Sequence, residues 1–157
     1  MTIVVARIDD RLVHGQVVIG WGRPLNIGRI ALVDDGVAAS EFEQDLYRMA
    51  APPEVEVEFL TEAAAPERVT VLGSLPERVL VLTGTVAGMT SLARATAAIR
   101  AVNLGGVHDG PGRREYLRFL YLTDAERADL EALAAGGVLV SAQDLPSSAP
   151  VALAEFG

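Results

Sequence analysis

An open α/β sheet, mostly parallel and flanked by helices on both faces, is the fold this chain predicts. Three observations point to it. Short β-branched runs alternate with helical segments along the sequence, several of those runs lack the polar alternation of a half-exposed strand, and the helical segments carry recognisable start signals. The 157 residues suit one domain, spanning 1–157, with about six to seven strands.

The first strand reads Ile3–Ile8 and runs straight into a charged turn, with a helix beginning near His14 or Gly15. Arg29–Val33 is the second strand. Ser40-Glu41-Phe42-Glu43 then has the Ser-x-x-Glu form of a capping box, and Phe42, Leu46 and Met49 share one face of the helix that follows, with Glu43, Gln44 and Arg48 turned elsewhere. Val55–Leu60 is a strand, and residues 61 to 80 carry nothing distinctive before Val79–Leu82. Beyond Thr83-Gly84-Thr85 lies a helix holding Met89, Leu92 and Ile99. Ala101–Leu104 and Tyr116–Leu122 read as further strands. Thr123-Asp124-Ala125-Glu126 is a second capping-box sequence, its helix closed by Gly136 in a left-handed turn, and Val138–Gln143 is the last strand. Pro52-Pro53 and Pro146 to Pro150 are local breaks. Repeated strand–helix–strand units give a parallel sheet, and in such sheets ligands bind beyond the carboxyl ends of the strands.

Composition removes several function classes. There is no cysteine, so disulfides, thiolate metal sites and cysteine nucleophiles are excluded. All thirteen basic residues are arginine, which excludes Schiff-base chemistry and a lysine-dependent phosphate loop. A net charge of −8 repels nucleic-acid backbones, so no nucleic-acid partner is expected. The N-terminal MTIVVARIDD lacks the apolar segment of a signal peptide, and no run reaches the roughly 20 apolar residues of a membrane span. A cytoplasmic protein is the expectation.

Chemistry concentrates in RIDDRLVHGQ, Arg7 to Gln16, at the end of the first strand. A histidine at a helix start lies within reach of backbone N–H groups and the positive end of the helix dipole, which favour an anion there. Gly15 lets a ligand approach the backbone closely. Arg11, three residues before His14, can grip phosphate oxygens through paired hydrogen bonds. Asp9 or Asp10 can take the proton of one ring nitrogen and make the other the nucleophile. Acid, arginine and histidine thus form a phosphoryl-transfer set, with Arg7, Gly15 and Gln16 as candidates for phosphate or partner contact. On spacing alone the same residues also suit a solvated ion-pair cluster. A metal site from Asp9, Asp10, His14 and His108 lacks a diagnostic spacing, and neither a metal nor a cofactor is expected.

Two further loops belong to the same sheet edge. Asn103 to Glu115 reads NLGGVHDGPGRRE after a strand, and Asn103, Gly105 and Gly106 are candidates for phosphate or partner contact. His108, Arg113 and Arg114 in this loop read first as solvated residues. Gly84 and Thr85 suit either a phosphate or the cap of the next helix.

RIDDRLVHGQVVIGW, Arg7 to Trp21, resembles the phosphorylation-site signature of the enzyme IIB components of the mannose, fructose and sorbose type of sugar phosphotransferase system. NLGGVHDGPGRRE and the Gly137-Val138 turn resemble its later part. The resemblance implies a phosphocarrier in which His14 takes a phosphoryl group, on Nδ1, from a phosphohistidine of the IIA component. It then passes that group to a sugar hydroxyl during uptake through the IIC and IID membrane components. Arg11 would stabilise the transferring group and Asp9 or Asp10 organise the loop, without nucleotide or metal. The resemblance permits a homodimer and recruitment to the inner membrane face. Arg113 and Arg114 stand where lysine is frequent in the family, and Val107 where methionine is common. A regulatory phosphohistidine carrier without sugar transport is the alternative, and an anion-binding domain using His14 only as a hydrogen-bonding group is a third reading.

Overall fold

The computed structural model describes residues 3–156. Strands β1 (Ile3–Ile8), β2 (Arg29–Val33), β3 (Glu56–Leu60), β4 (Val79–Thr83), β5 (Ala101–Leu104), β6 (Arg114–Leu117), β7 (Leu120–Leu122), β8 (Leu139–Ala142) and β9 (Val151–Ala152) alternate with helices α1 (Asp35–Ala38), α2 (Glu41–Ala50), α3 (Ala65–Leu72), α4 (Val86–Ala95) and α5 (Asp124–Ala135). Seven strands form one sheet in the order β3-β2-β4-β1-β5-β8-β9. Every pairing in it is parallel except that of β9 with β8.

The missing polar alternation has a direct cause in β4. Val79 and Val81 pack into the core under α3, α4 and α5, whereas Leu80 and Leu82 face the opposite core with Val17, Val18, Trp21 and Val37. A strand buried on both sides needs apolar residues at every position, each contributing about 1.5–3 kcal/mol of burial. The helices start where their caps direct. Thr85 accepts from Gly88 N at 3.0 Å, and Thr123 and Glu126 complete a reciprocal capping box at 3.0 and 2.8 Å.

Several sequence expectations need correction. Tyr116–Leu122 is not one strand: the chain reverses at Arg118-Phe119, making the antiparallel pair β6–β7 outside the main sheet. Leu120 and Leu122 enter the core while β6 lies at the surface, so a single straight strand would not satisfy both halves. The left-handed residue after α5 is Gly137, at φ 102°, and Gly136 ends the helix at φ −80°. Ile99 is buried beyond the end of α4. Ser40 caps α2 through Glu43 N, but its own N–H goes to Val37 O, so the box is half made. Residues 61 to 80 hold α3, and β9 follows the proline-rich break. The face of α2 that carries Phe42, Leu46 and Met49 lies at the surface, with Phe42 and Met49 73% and 81% exposed.

Candidate active site

Three neighbouring strands, β4, β1 and β5, end beside one another, and the loops they release carry Gly84-Thr85, Asp9–His14 and Gly105–His108. The chain moves to one side of β1 after the first strand and crosses to the other after β4, so this edge is the switch point of the sheet. Backbone bonds join the loops. Asp9 N donates to Thr83 O at 2.9 Å, Gly105 N to Ile8 O at 2.7 Å, and Asp10 N to Gly106 O at 2.9 Å.

The first loop closes in a turn, Leu12 N donating to Asp9 O at 3.0 Å, with Leu12 held at φ 60°. A left-handed leucine costs on the order of 1–3 kcal/mol. Burial of its side chain against Gly84 offsets this, since a Cβ at Gly84 would lie 2.9 Å from Leu12 Cδ2. Gly84 therefore makes room for the loop, and Thr85 caps α4. The chain then enters the π-helix Gln16–Gly22 through Gly15, where an added Cβ would meet nothing within 4 Å. Arg23 N reaches back to Val18 O at 3.2 Å in the i→i+5 pattern of a π-turn, a geometry that is rare and concentrated at functional sites. The Gln16 side chain lies outside the described part of the molecule.

Asp9 is the centre of the arrangement, its side chain 0% exposed. It accepts from Arg11 N at 3.1 Å, Arg11 Nε and Nη2 at 3.2 Å each, and Arg7 Nη2 at 3.5 Å; Nε2 of the part-exposed His14 lies 3.6 Å from Oδ1. Burial alone would push its carboxyl up, but the nearby His14 ring, the bonds from Arg11 and the charge of Arg7 outweigh it and hold Asp9 well below the usual carboxylate range. Arg11 itself is 38% exposed, so its guanidinium borders solvent beside the histidine.

Arg7, expected near a phosphate, is only 1% exposed and lies beneath the site instead. Its Nη1 donates to Asn103 Oδ1 and, at 2.8 Å, to Gln143 O; Nη2 donates to Asp144 O at 3.2 Å; and the group stacks over Trp21 at 4.4 Å from the ring centre. Burial lowers it to about 10, still charged at neutral pH. Asn103 and Gly105 serve the same end: Asn103 Nδ2 also donates to Gln143 Oε1 at 3.3 Å, and a Cβ at Gly105 would collide with the Arg7 guanidinium at 2.4 Å. A Cβ at Gly106 would stand 3.5 Å from Arg11 Nη2, in ordinary contact. Trp21 Nε1 donates to Asp144 O at 3.1 Å, closing the network. Gln143 and Asp144 had no sequence signal, because nothing local in a strand end foretells which distant guanidinium its carbonyls will meet.

The constellation Asp9, Asp10, His14 and His108 divides into two pairs. Asp9 faces His14, and Asp10 accepts from His108 N at 2.8 Å with its other oxygen 2.7 Å from His108 Nδ1. Among the described residues no group of three or more such side chains is placed to hold a metal. Arg113 is not simply solvated: it donates twice to Glu126 at 3.2 Å and once to His108 O at 3.1 Å.

The family model for the sorbose-subfamily IIB component of the phosphotransferase system (PTS) matches residues 3–156. The chain belongs to that family. Over 149 residues it is 29% identical to the fructose-specific EIIB component of Bacillus subtilis, covering 95% of this chain and 91% of that one. It is 34% identical over 115 residues to the mannose-specific EIIAB component of Escherichia coli, covering 73% of this chain and 36% of that longer one. The crystal structure of manxB from Thermoanaerobacter tengcongensis superposes with a TM-score of 0.88 at 33% identity, over 98% of this chain and 93% of that one. The mostly parallel sheet is thus the IIB fold, and this PTS IIB component is a phosphotransferase. Among its described residues no helix is long and apolar enough to cross a membrane.

Proposed function

We infer that His14 is the phosphoryl carrier of this IIB component, receiving the group from a phosphohistidine of a IIA component and delivering it to a sugar hydroxyl in the cytoplasm, at IIC and IID membrane components. The observation that carries this reading is Asp9, buried, held by two arginines and placed 3.6 Å from His14 Nε2. With the Nε2 proton turned toward Asp9, the lone pair lies on Nδ1, which becomes the attacking atom. The Nδ1–P bond forms as the P–N bond of the donor breaks, and the electron pair of that bond returns to the donor imidazole. Asp9 then balances the positive charge of the phosphorylated ring, and Arg11, at the rim, meets the charge of the equatorial oxygens in a loose transition state. Such bonds are long before reaction and shorten as charge develops.

Incubation with phosphorylated IIA tests the reading. Acid-labile, base-stable phosphate on His14 is expected, and equal labelling of a His14→Ala protein would end it. Formation of sugar phosphate in membranes carrying IIC and IID separates transport from a purely regulatory carrier, which would keep its phosphate and change its affinity for a partner.

A further inference from the structure

The chain has two histidines, and two consecutive aspartates serve one each. His108 is the less expected of the two. Asp10 holds it twice, through its backbone N–H and through Nδ1, while its ring is 71% exposed and Nε2 makes no further bond among the described residues. Arg113 fixes the carbonyl of the same residue, and Val107 before it is bonded in both directions to the β6–β7 hairpin, at 2.9 Å to Phe119 and 3.0 Å to Tyr121. An exposed ring so firmly anchored is unusual for a solvated loop. It lines a cleft of about 280 Å³ together with Arg11, Gly106, Arg118, Phe119, Tyr121 and Asp144. Arg11 joins this cleft to the Asp9–His14 pair.

A carboxylate on Nδ1 fixes the tautomer that leaves Nε2 basic, and stabilises the imidazolium formed when Nε2 takes a proton. The two half-reactions of a phosphocarrier differ in their need for such a group. Transfer from one imidazole to another requires no proton from a hydroxyl. Transfer to a hydroxyl does. We propose that His108 is the general base of the acceptor step. Its Nε2 takes the hydroxyl proton as the oxygen bonds to phosphorus, while the P–N bond to His14 breaks and its electron pair returns to Nδ1. The inference rests on the phosphocarrier reading of His14. The attacking hydroxyl, on a sugar presented by the membrane components, reaches Nε2 through this cleft, with Arg118 and Tyr121 as hydrogen-bonding groups and Phe119 as an apolar wall.

The test is His108→Asn, whose side-chain amide keeps an N–H for Asp10 and removes the base. Phosphorylated IIA labels His14, and release is followed in membranes carrying IIC and IID with fructose, mannose and sorbose offered in turn. Labelling at the parent rate is expected, with transfer to sugar slowed about 10²-fold, at the low end of general-base effects because a loose transition state delays proton loss. A solvent deuterium isotope effect on transfer, present in the parent, is expected to vanish in the variant. Parent-like transfer by His108→Asn overturns the inference and leaves the reading of His14 intact. Labelling and transfer slowed equally also overturn it, since the residue then only shapes the loop. A parent labelled on His14 that passes nothing to any sugar overturns both this inference and the transport reading, and a parent never labelled overturns the phosphocarrier reading itself.

Discussion

Two arginine–carboxylate networks sit at different places in this sheet, and their difference explains why only one of them is a candidate site. At the C-terminal edge, Asp9 and Arg7 meet with almost no solvent, and the part-exposed Arg11 and His14 reach the same carboxylate. At the other, on β2, β3 and α3, Glu58 bonds Arg68 at 2.8 and 2.9 Å and Arg29 at 2.9 Å, while Arg29 also reaches Glu77 at 3.0 Å. The second network has the shorter bonds, yet its side chains are part-exposed. Both carboxylates are held below their ordinary range. Bond length therefore does not separate them. Burial does: a charge without water depends on its partners alone, so its neighbours are fixed in place and a nearby histidine is held with them.

Breaking the buried network gives the largest expected effect. Asp9→Asn keeps the shape and leaves the Arg7 guanidinium buried without its counter-charge, which costs about 3–5 kcal/mol. For a chain of this size that lowers the midpoint of thermal unfolding by roughly 6–20 °C, and labelling of His14 slows at least about tenfold. The same residue sets an acid limb. Its folded pKa lies below the unfolded value of about 3.9, so its stabilisation is complete above that value and is lost as pH falls below it toward the folded pKa. Denaturation followed from pH 6 to 2 is expected to give a shallower decline for Asp9→Asn than for the parent; parallel curves would remove Asp9 from the acid limb.

A smaller effect is expected from Arg7→Lys. An ammonium keeps the charge but does not reach Asn103, Gln143 O, Asp9 and Asp144 O together, nor lie flat on Trp21. A loss of about 2 kcal/mol in chemical denaturation is expected. Trp21 is the only tryptophan, so a change in its fluorescence reports the network directly. An unchanged spectrum with unchanged stability would show that the guanidinium plane is not what supports Asp9.

How much of this was legible beforehand follows from which interactions are local. Strands such as Ile3–Ile8 and Arg29–Val33 were readable because burial on both faces leaves apolar runs, residues 3 to 6 and 30 to 33, without polar alternation. The loop was readable because the aspartates, Arg11 and His14 are adjacent in sequence. Arg7 was misplaced because its partners come from residues 103, 143 and 144, far along the chain. Leu12 gave no warning of its left-handed backbone, which tertiary packing on Gly84 imposes. The hairpin at Arg118-Phe119 was missed because both arms are apolar enough to read as one strand, and the turn has neither glycine nor proline to mark it.

The smallest effect is expected where the bonds are shortest. Glu58→Gln removes a carboxylate that two arginines share, yet Arg68 is 38% exposed and Arg29 has Glu77 as a second partner. Water takes over what the carboxylate gave Arg68, and Arg29 stays paired. A loss within about 1 kcal/mol is therefore expected, with labelling of His14 unchanged because this network lies on strands that do not end in the site loops. Salt separates the two networks. Raising ionic strength should shrink the difference between Glu58→Gln and the parent, since exposed pairs are screened, and leave the Asp9→Asn deficit nearly intact. If both deficits shrank alike, the Asp9 cluster would be reached by solvent ions, and burial would no longer be what sets the two networks apart.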